Sequence, residues 1–149
     1  NKHVSKQQSQ SIEHLHYSLI IDVAGESDQN VPRGQILNLS AVNVQDKTVQ
    51  FTTGHLSSII KSPSDYIPLG KITNNLNYHP RQWAYQLSDD VQDYWYPEFV
   101  ASKGSTWSHQ SNCQQFARFL VTKLKLVWPP DIPVAGDGNQ IEPIIVDPA

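Results

Sequence analysis

The only cysteine of this 149-residue chain, Cys113, lies in the segment SNCQQFARFL, residues 111–120. Ser111 or Asn112 can cap a helix there, because each is followed three residues later by a glutamine, the spacing of a capping box. Either cap places Cys113 in the first helical turn. The partial positive charge at a helix N-terminus lowers the pKa of a thiol, so the spacing predicts a thiol that ionises near neutral pH.

Cys113 also fits a packing role. It begins an apolar stripe at helical spacing that continues with Phe116, Ala117, Leu120 and Leu124. A free cysteine on such a stripe is usually a small buried hydrophobic residue. A catalytic thiol has one further requirement, because it needs an imidazole that takes its proton and returns that proton to the leaving group.

The chain offers six histidines as partners of the thiol: His3, His14, His16, His55, His79 and His109. His14 and His16 share one face of HLHYSLIIDV, residues 14–23, which is rich in β-branched and aromatic residues and is predicted to be a strand. A strand holds a base more rigidly than a loop does. No third ligand at a recognisable spacing accompanies the pair, so the sequence predicts neither a metal site nor a cofactor. Both histidines remain candidates for the base, and His109 is next in line.

The elements that would position these residues follow an α+β pattern. Short links between strand-like segments predict an antiparallel sheet of about four strands, with Pro68 pushing the last strand toward an edge. Helical spacing follows in residues 79–95 and again after Ser111, with a predicted loop over residues 97–110. The expected fold class is therefore α+β, with the sheet packed against two helices. The segments with strand character are residues 14–23, 35–44, 48–54 and 65–73.

The length of the chain predicts one domain. Residues 1–11 are polar and aperiodic and are expected to form a flexible lead-in. Residues 12–128 are expected to fold as a single catalytic-type α+β domain. The Pro-rich residues 129–149 are expected to pack on that domain as an extended C-terminal strap.

The composition argues against two classes of partner. The formal net charge is −3, from 11 basic and 14 acidic residues with no basic run, so nucleic-acid binding is not expected. No apolar run approaches the roughly 18 residues of a membrane-spanning helix, so integral membrane contact is not expected either. One cysteine cannot form an internal disulfide and no leader is visible, which favours a cytoplasmic location.

Two segments together resemble a known group of proteins. HYSLIID, residues 16–22, is similar to the H-x-(S/A)-hydrophobic strand of circularly permuted papain-like proteins, and SNCQQFARFL is similar to their N-C-x-x-F helix start. In that group the histidine strand comes early in the chain and the nucleophile helix comes late, as here. The group includes lecithin:retinol acyltransferase-like proteins and PPPDE peptidases, within the wider NlpC/P60 superfamily of thiol proteins.

The resemblance implies a permuted papain-like (NlpC/P60-type) fold and a set of site residues. Cys113 would be the nucleophile, and its backbone N–H would hold the oxyanion. His16, which directly precedes Tyr17 and Ser18, would be the base, with His14 as the fallback. A third polar residue on the next strand would orient the imidazole. The candidates on that strand are Gln35, Asn38 and Ser40, of which Asn38 is preferred.

The sequence departs from the acyltransferase-like pattern in two places. That branch commonly has a second histidine on the next strand, and this chain has none there. Gln114 and Gln115 replace the Glu-His of its N-C-E-H-F box. The resemblance therefore favours the hydrolase branch over lipid acyl transfer.

The expected function is thiol-dependent hydrolysis of a peptide, isopeptide or amide bond through an acyl-Cys113 intermediate with a Cys-His dyad. The substrate class would be a peptide, a modified protein, or a small amide or ester. One alternative is a thiol acyltransferase that acts on lipid. Another is a non-catalytic binding module on the same fold, with an aromatic recognition surface drawn from Trp83, Tyr94, Trp95, Tyr96, Trp107 and Trp128.

Overall fold

A three-stranded antiparallel sheet forms one layer of the molecule, with its strands in the order β1-β2-β3. The computed structural model describes residues 16–22, 34–42, 45–56, 67–72 and 80–136. The register pairs Leu19 with Leu37 across the first two strands and Asn38 with Thr52 across the last two. The meander predicted from the three early strand segments is therefore confirmed. The strands are β1 (Leu19–Ile21), β2 (Gly34–Ala41) and β3 (Val49–Leu56).

The predicted fourth strand is wrong, because residues 67–72 of its span form no strand. Pro68 cannot donate to a ladder, and Gly70 has a φ of +114°, outside the extended region that a strand needs. Leu69 and Ile72 still pack against the core, so the segment covers the core without joining the sheet. Within the described residues the sheet has three strands.

Two helical bodies cover the sheet. The first is continuous and consists of α1 (Pro80–Asp90), a π-helical segment (Val91–Trp95) and α2 (Tyr96–Lys103). The second is α3 (Cys113–Lys123). The α+β class with two helical bodies is therefore confirmed.

The first helical body extends further than the sequence predicts. The loop expected over residues 97–110 is wrong in its first half, because Pro97 lies inside the first turn of α2. A proline within a helix lacks an N–H and crowds the carbonyl four residues earlier. The π-helical segment directly before α2 widens the backbone at that point, so the chain accommodates Pro97 and continues as a helix.

The core between the sheet and the helices is centred on Phe116 of α3. Its ring contacts Phe99 of α2 edge-on at a centroid distance of 5.1 Å, and Phe51 of β3 at 6.1 Å. Leu120, one turn further along α3, is fully buried, as is Leu39 of β2. These contacts press α3 onto the sheet and fix where its N-terminus lies.

The loop between the helical bodies is tied to β3. Trp107 donates its backbone N–H to the carbonyl of Lys47 at 2.6 Å, and Val49 donates to the carbonyl of Ser105 at 2.9 Å. The same loop leads directly to the cap of α3. The register of this loop on β3 therefore helps to set the position of Cys113.

The described part of the predicted C-terminal segment, residues 129–136, packs against the domain, and we call these residues the strap. Val134 and Ala135 are buried. The predicted lead-in, residues 1–11, and the strap's continuation from residue 137 lie outside the described residues. None of the described helices is long and apolar enough to cross a membrane.

Candidate functional site

His16 lies three residues before β1 and is hydrogen-bonded to β2. Its Nε2 lies 2.6 Å from Oδ1 of Asn38 on β2. Ser18 donates its hydroxyl to the same Asn38 oxygen at 3.2 Å, and Asn38 donates its Nδ2 to the hydroxyl of Thr52 on β3 at 3.2 Å. All four side chains lie on one face of the sheet, because the register places Asn38 opposite Thr52 and, one position beyond the paired residues, opposite Ser18.

This hydrogen bond determines which nitrogen of His16 can act as a base. An amide oxygen only accepts hydrogen bonds, so Nε2 carries the proton in the contact with Asn38 Oδ1. The neutral imidazole then has its lone pair on Nδ1. Asn38 therefore orients the ring and selects the tautomer with Nδ1 as the proton acceptor.

The environment of His16 keeps the imidazole neutral at physiological pH. Desolvation of the ring lowers the pKa of His16 below its ordinary value of 6.5, and the hydrogen bond to Asn38 offsets part of this effect. Measured over the whole residue, His16 is nevertheless exposed to solvent. A neutral imidazole is the form that can accept a proton.

Cys113 is the first residue of α3 and is 1% exposed. Backbone N–H groups of Tyr17, Cys113 and Gln114 stabilise the thiolate, but burial outweighs them and raises the pKa of Cys113 to about 11. The sequence predicted the opposite direction from the helix N-terminus alone. That prediction is wrong for this conformation. The free-energy cost of removing a thiolate from water is larger here than the stabilisation by the helix N-terminus and its N–H groups.

The start of β1 and the start of α3 meet at Tyr17. Its backbone N–H donates to the Cys113 sulfur. Tyr17 follows His16 in the chain, so the Cα of His16 is only two covalent bonds from that nitrogen. The structure thus brings the predicted nucleophile against the peptide unit that joins the predicted base to its neighbour.

The helix cap is formed by Asn112. Its Oδ1 accepts the backbone N–H groups of Gln114 at 3.1 Å and Gln115 at 2.9 Å. Its Nδ2 donates to the carbonyls of Ser108 and His109, both at 3.0 Å. Of the two caps that the sequence leaves open, the structure uses Asn112, and this fixes Cys113 at the first helical position.

The other candidates on β2 have different roles. Gln35 is buried and donates its Nε2 to the hydroxyl of Thr53 on the opposite face of the sheet. Ser40 is buried, and within the described part of the chain its hydroxyl has no hydrogen-bond partner. Asn38 is therefore the candidate that reaches His16.

Of the remaining histidines, one is described together with its side chain. His109 is half-buried in the loop before α3, where its carbonyl accepts the Asn112 amide. His3, His14 and His79 lie outside the described residues, and for His55 only the backbone is described. The predicted fallback base, His14, therefore stays a prediction.

Two residues beside the thiol have a role that the sequence did not predict. Gln114 accepts the backbone N–H of Ala135 at 2.6 Å, and Gln115 donates its Nε2 to the carbonyl of Ala135 at 3.2 Å. We call this pair of contacts the amide clamp. It holds one residue of the strap by both of its backbone groups. The only sequence signal for it was the pair of glutamines at a helix start, where the resemblance expects Glu-His.

Gly136 completes the attachment of the strap. Its φ is +103°, and a Cβ at this position would lie 1.6 Å from the carbonyl oxygen of His109. Only glycine allows the backbone to approach that closely. The strap is therefore held on both sides of Ala135. On one side, Tyr17 donates its hydroxyl to the carbonyl of Pro133 at 2.8 Å. On the other side, Gly136 packs against the carbonyl of His109.

No protein-family model, curated protein or solved structure matches the chain. Among the described residues, no group of three or more His, Cys, Asp and Glu side chains is placed to hold a metal ion.

Proposed function

We propose that the protein is a thiol hydrolase of the permuted papain-like type that cleaves peptide, isopeptide or amide bonds. Cys113 is the nucleophile, His16 the base and Asn38 the residue that orients the base. The observation that carries the proposal is the hydrogen bond from His16 Nε2 to Asn38 Oδ1, next to Tyr17, whose backbone N–H donates to the Cys113 sulfur. A packing cysteine has no need of an oriented, neutral imidazole on the adjoining peptide.

The reaction begins with transfer of the thiol proton from Cys113 to Nδ1 of His16. The thiolate attacks the carbonyl carbon of the substrate, and the carbonyl oxygen becomes an oxyanion that the Cys113 backbone N–H stabilises. The carbon–nitrogen bond then breaks while the imidazolium returns its proton to the leaving amine. A water molecule, deprotonated by His16, hydrolyses the acyl-Cys113 intermediate and regenerates the thiol.

The resting pair is neutral in this proposal. The thiol is protonated at neutral pH, because its pKa is raised to about 11, and the imidazole is unprotonated, because its pKa is lowered. Proton transfer therefore accompanies attack on the substrate and does not precede it. Such an enzyme differs from thiol enzymes whose resting state is a thiolate–imidazolium ion pair.

Trapping the acyl-enzyme tests the proposal directly. The protein is incubated with an N-acetyl-peptide 4-nitrophenyl ester, quenched in acid and weighed by intact-mass spectrometry. We expect one acyl adduct, located on Cys113 by peptide mapping and absent from a folded Cys113→Ala variant. His16→Ala should slow acylation by about 10²-fold or more, the usual loss on removing a general base. An adduct on another residue, or equal acylation of wild type and Cys113→Ala, would contradict the proposal.

A matched variant separates orientation from the presence of the base. Asn38→Leu retains His16 and removes the oxygen that accepts its Nε2 proton. We expect slower acylation than in the wild type, but faster than in His16→Ala, because the imidazole remains and only its orientation is lost. Equal rates in wild type and Asn38→Leu would remove Asn38 from the site.

A second candidate function is that of a binding module. A groove of about 390 Å³ lies at the C-terminal end of α3, away from Cys113. It is lined by Trp83 and Trp95 and by Lys71, Lys125 and Lys123, the last of which is paired with Glu98 at 2.7 Å. Indole rings beside lysine ammonium groups suit a ligand with an apolar body and a negative charge. Absence of acylation together with saturable binding of such a ligand would favour this function over the hydrolase.

The wider aromatic surface expected for a binding module does not form as a continuous patch. Trp107 is buried. Trp128 packs beside Tyr17 at a centroid distance of 6.1 Å, and Tyr96 packs edge-on against Phe116 at 6.5 Å. Most of these rings belong to the core and its rim, and Tyr94 is largely exposed. The binding alternative therefore depends on the groove.

A further inference from the structure

We propose that the strap gates the candidate site, so that Cys113 becomes reactive only when the strap leaves the amide clamp. The inference rests on the proposed hydrolase function for its biological meaning. The test of the gate measures how fast the thiol reacts with a reagent. The gate and the hydrolase function can therefore each be disproved without the other.

The contacts of the strap converge on the residues that surround the sulfur. Gln114, directly after Cys113, accepts the N–H of Ala135 at 2.6 Å, and Gln115 donates to the carbonyl of the same residue at 3.2 Å. Asn112, directly before Cys113, reaches that carbonyl at 3.5 Å. Gln114 and Gln115 are therefore bonded to Ala135 through their side chains, and the Asn112 amide lies beside the same carbonyl.

Tyr17 links the sulfur and the strap from the opposite side. Its backbone N–H donates to Cys113, and its hydroxyl donates to the carbonyl of Pro133 at 2.8 Å. Its ring also lies beside Trp128, whose Nε1 donates to the carbonyl of Ile132 at 2.9 Å. A strap that leaves its place therefore frees Tyr17 on one side of the thiol and the two glutamines on the other.

The strap is the element around Cys113 that can move at the lowest free-energy cost. Helix α3 is anchored by Phe116 and Leu120, both almost fully buried, and β1 is hydrogen-bonded to β2. Residues 129–136 form neither helix nor strand. They are held by a small number of hydrogen bonds and by the small buried side chains of Val134 and Ala135. Elements held in this way open locally before the core does.

Gating also accounts for the closed state of the thiol. Cys113 is 1% exposed, and a substrate carbonyl cannot reach a sulfur that water hardly reaches. Because burial is the cause of its raised pKa, admission of water restores the pKa of Cys113 toward its ordinary value. One movement therefore opens the path to the sulfur and makes the thiolate easier to form.

Thiol labelling with iodoacetamide provides the test, using the full chain and Tyr17→Phe. This substitution removes the hydroxyl that donates to Pro133 and retains both the ring and the backbone N–H that donates to Cys113. We expect labelling about fivefold faster than in wild type, which corresponds to the loss of one ordinary hydrogen bond from the closed state. Gln114→Met, which removes the acceptor of the Ala135 N–H at nearly constant length, should act in the same direction.

The matched control is Tyr96→Phe. It removes a hydroxyl that donates to the carbonyl of Val49 at 2.9 Å, remote from the strap. We expect labelling within about twofold of the wild-type rate, because the variant loses a similar bond but not one that closes the site. Tyr17→Phe loses a bond to the strap, whereas Tyr96→Phe loses a bond between α2 and β3.

The dependence of labelling on urea separates the gate from global unfolding. Opening of the strap exposes little surface, so the rate should be almost independent of urea well below the unfolding transition. The proposal is overturned if labelling of wild type follows the full slope of global unfolding, or if Tyr17→Phe and Tyr96→Phe accelerate it equally. Neither outcome depends on whether the protein has hydrolase activity.

Discussion

At the scale of single residues, the sequence predicted which side chains lie together better than it predicted how they ionise. The H-x-S pattern and the order of strands were enough to pair His16 with Asn38, and the structure places the two 2.6 Å apart. The ionisation of Cys113 was predicted in the wrong direction, because a helix start is visible in sequence whereas the burial of its first residue depends on the whole fold. The role of Gln114 was invisible for a related reason, since its partner lies on the strap.

The contact between His16 and Asn38 predicts the effect of a charge at position 38. Asn38→Asp presents a carboxylate to Nε2, which stabilises the imidazolium, so the pKa of His16 should rise by about one unit or more. The shift can be followed by NMR titration of the His16 ring proton on Cε1, with the His109 ring in the same spectra as an internal control. Asn38→Leu should shift the His16 titration in the opposite direction, because it removes the hydrogen bond that offsets desolvation.

Opposite outcomes would contradict the geometry. A titration of His16 that Asn38→Asp leaves unchanged would mean that Oδ1 is not its partner in solution. Retention of the Nε2-protonated tautomer in Asn38→Asp, read from the ring ¹⁵N shifts at a pH above the titration, is a second check. It is expected because a carboxylate, like the amide oxygen, accepts from Nε2.

At the scale of elements, local patterns were sufficient where one physical rule dominated. Strand-like segments and the short links between them predicted the meander, and the polar cap predicted the start of α3. The prediction failed where two rules competed. Pro97 indicated the end of a helix, yet the chain continues as a helix after the π-helical segment. The segment around Pro68 indicated an edge strand, which the backbone there does not form.

The cap of α3 predicts a measurable loss of stability. Asn112→Ala removes the oxygen that accepts the N–H groups of Gln114 and Gln115 and the amide that donates to Ser108 and His109. The residue is fully buried, so water does not replace these bonds, and the free energy of unfolding should fall by roughly 2–4 kcal/mol. Urea-induced unfolding followed by far-UV circular dichroism measures the change.

Asn112→Ser is the matched variant for this prediction. It retains an oxygen that can accept at the helix start, adds no charge, and loses the two donated bonds, so its loss of stability should be smaller than that of Asn112→Ala. An alanine variant as stable as the wild type would show that the cap does not determine where the helix begins.

At the scale of the whole molecule, the site depends on the meeting of segments that are distant in the sequence. The segment of His16 and the helix of Cys113 are far apart in the chain, and the backbone N–H of Tyr17 lies against Cys113 in the fold. The burial of Cys113 was not predictable, because the residues of its core cluster, Phe116 and Ala135 among them, come from separate segments of the chain. Burial of the Cys113 thiol therefore depends on the complete fold, and its effect should be measurable in the stability of the whole protein.

That burial predicts how the stability of the whole molecule depends on pH. The pKa of Cys113 is raised from 9.0 to about 11 in the folded protein, so folding favours the protonated thiol. The corresponding stability is fully present below pH 9 and is lost as pH rises toward 11, because the unfolded chain ionises first. The loss attributable to this group should be roughly 2–3 kcal/mol over that window. Urea unfolding of wild type and Cys113→Ala at several pH values measures it together with the part of the Tyr17 shift that Cys113 causes, since the pKa of Tyr17 is raised by burial and then by Cys113. The difference in stability between the two should be constant below pH 9 and should then shift in favour of Cys113→Ala. A difference that stays constant to pH 11 would mean that the thiolate is already accommodated in the folded state, and that Cys113 is as accessible to water as an ordinary surface thiol.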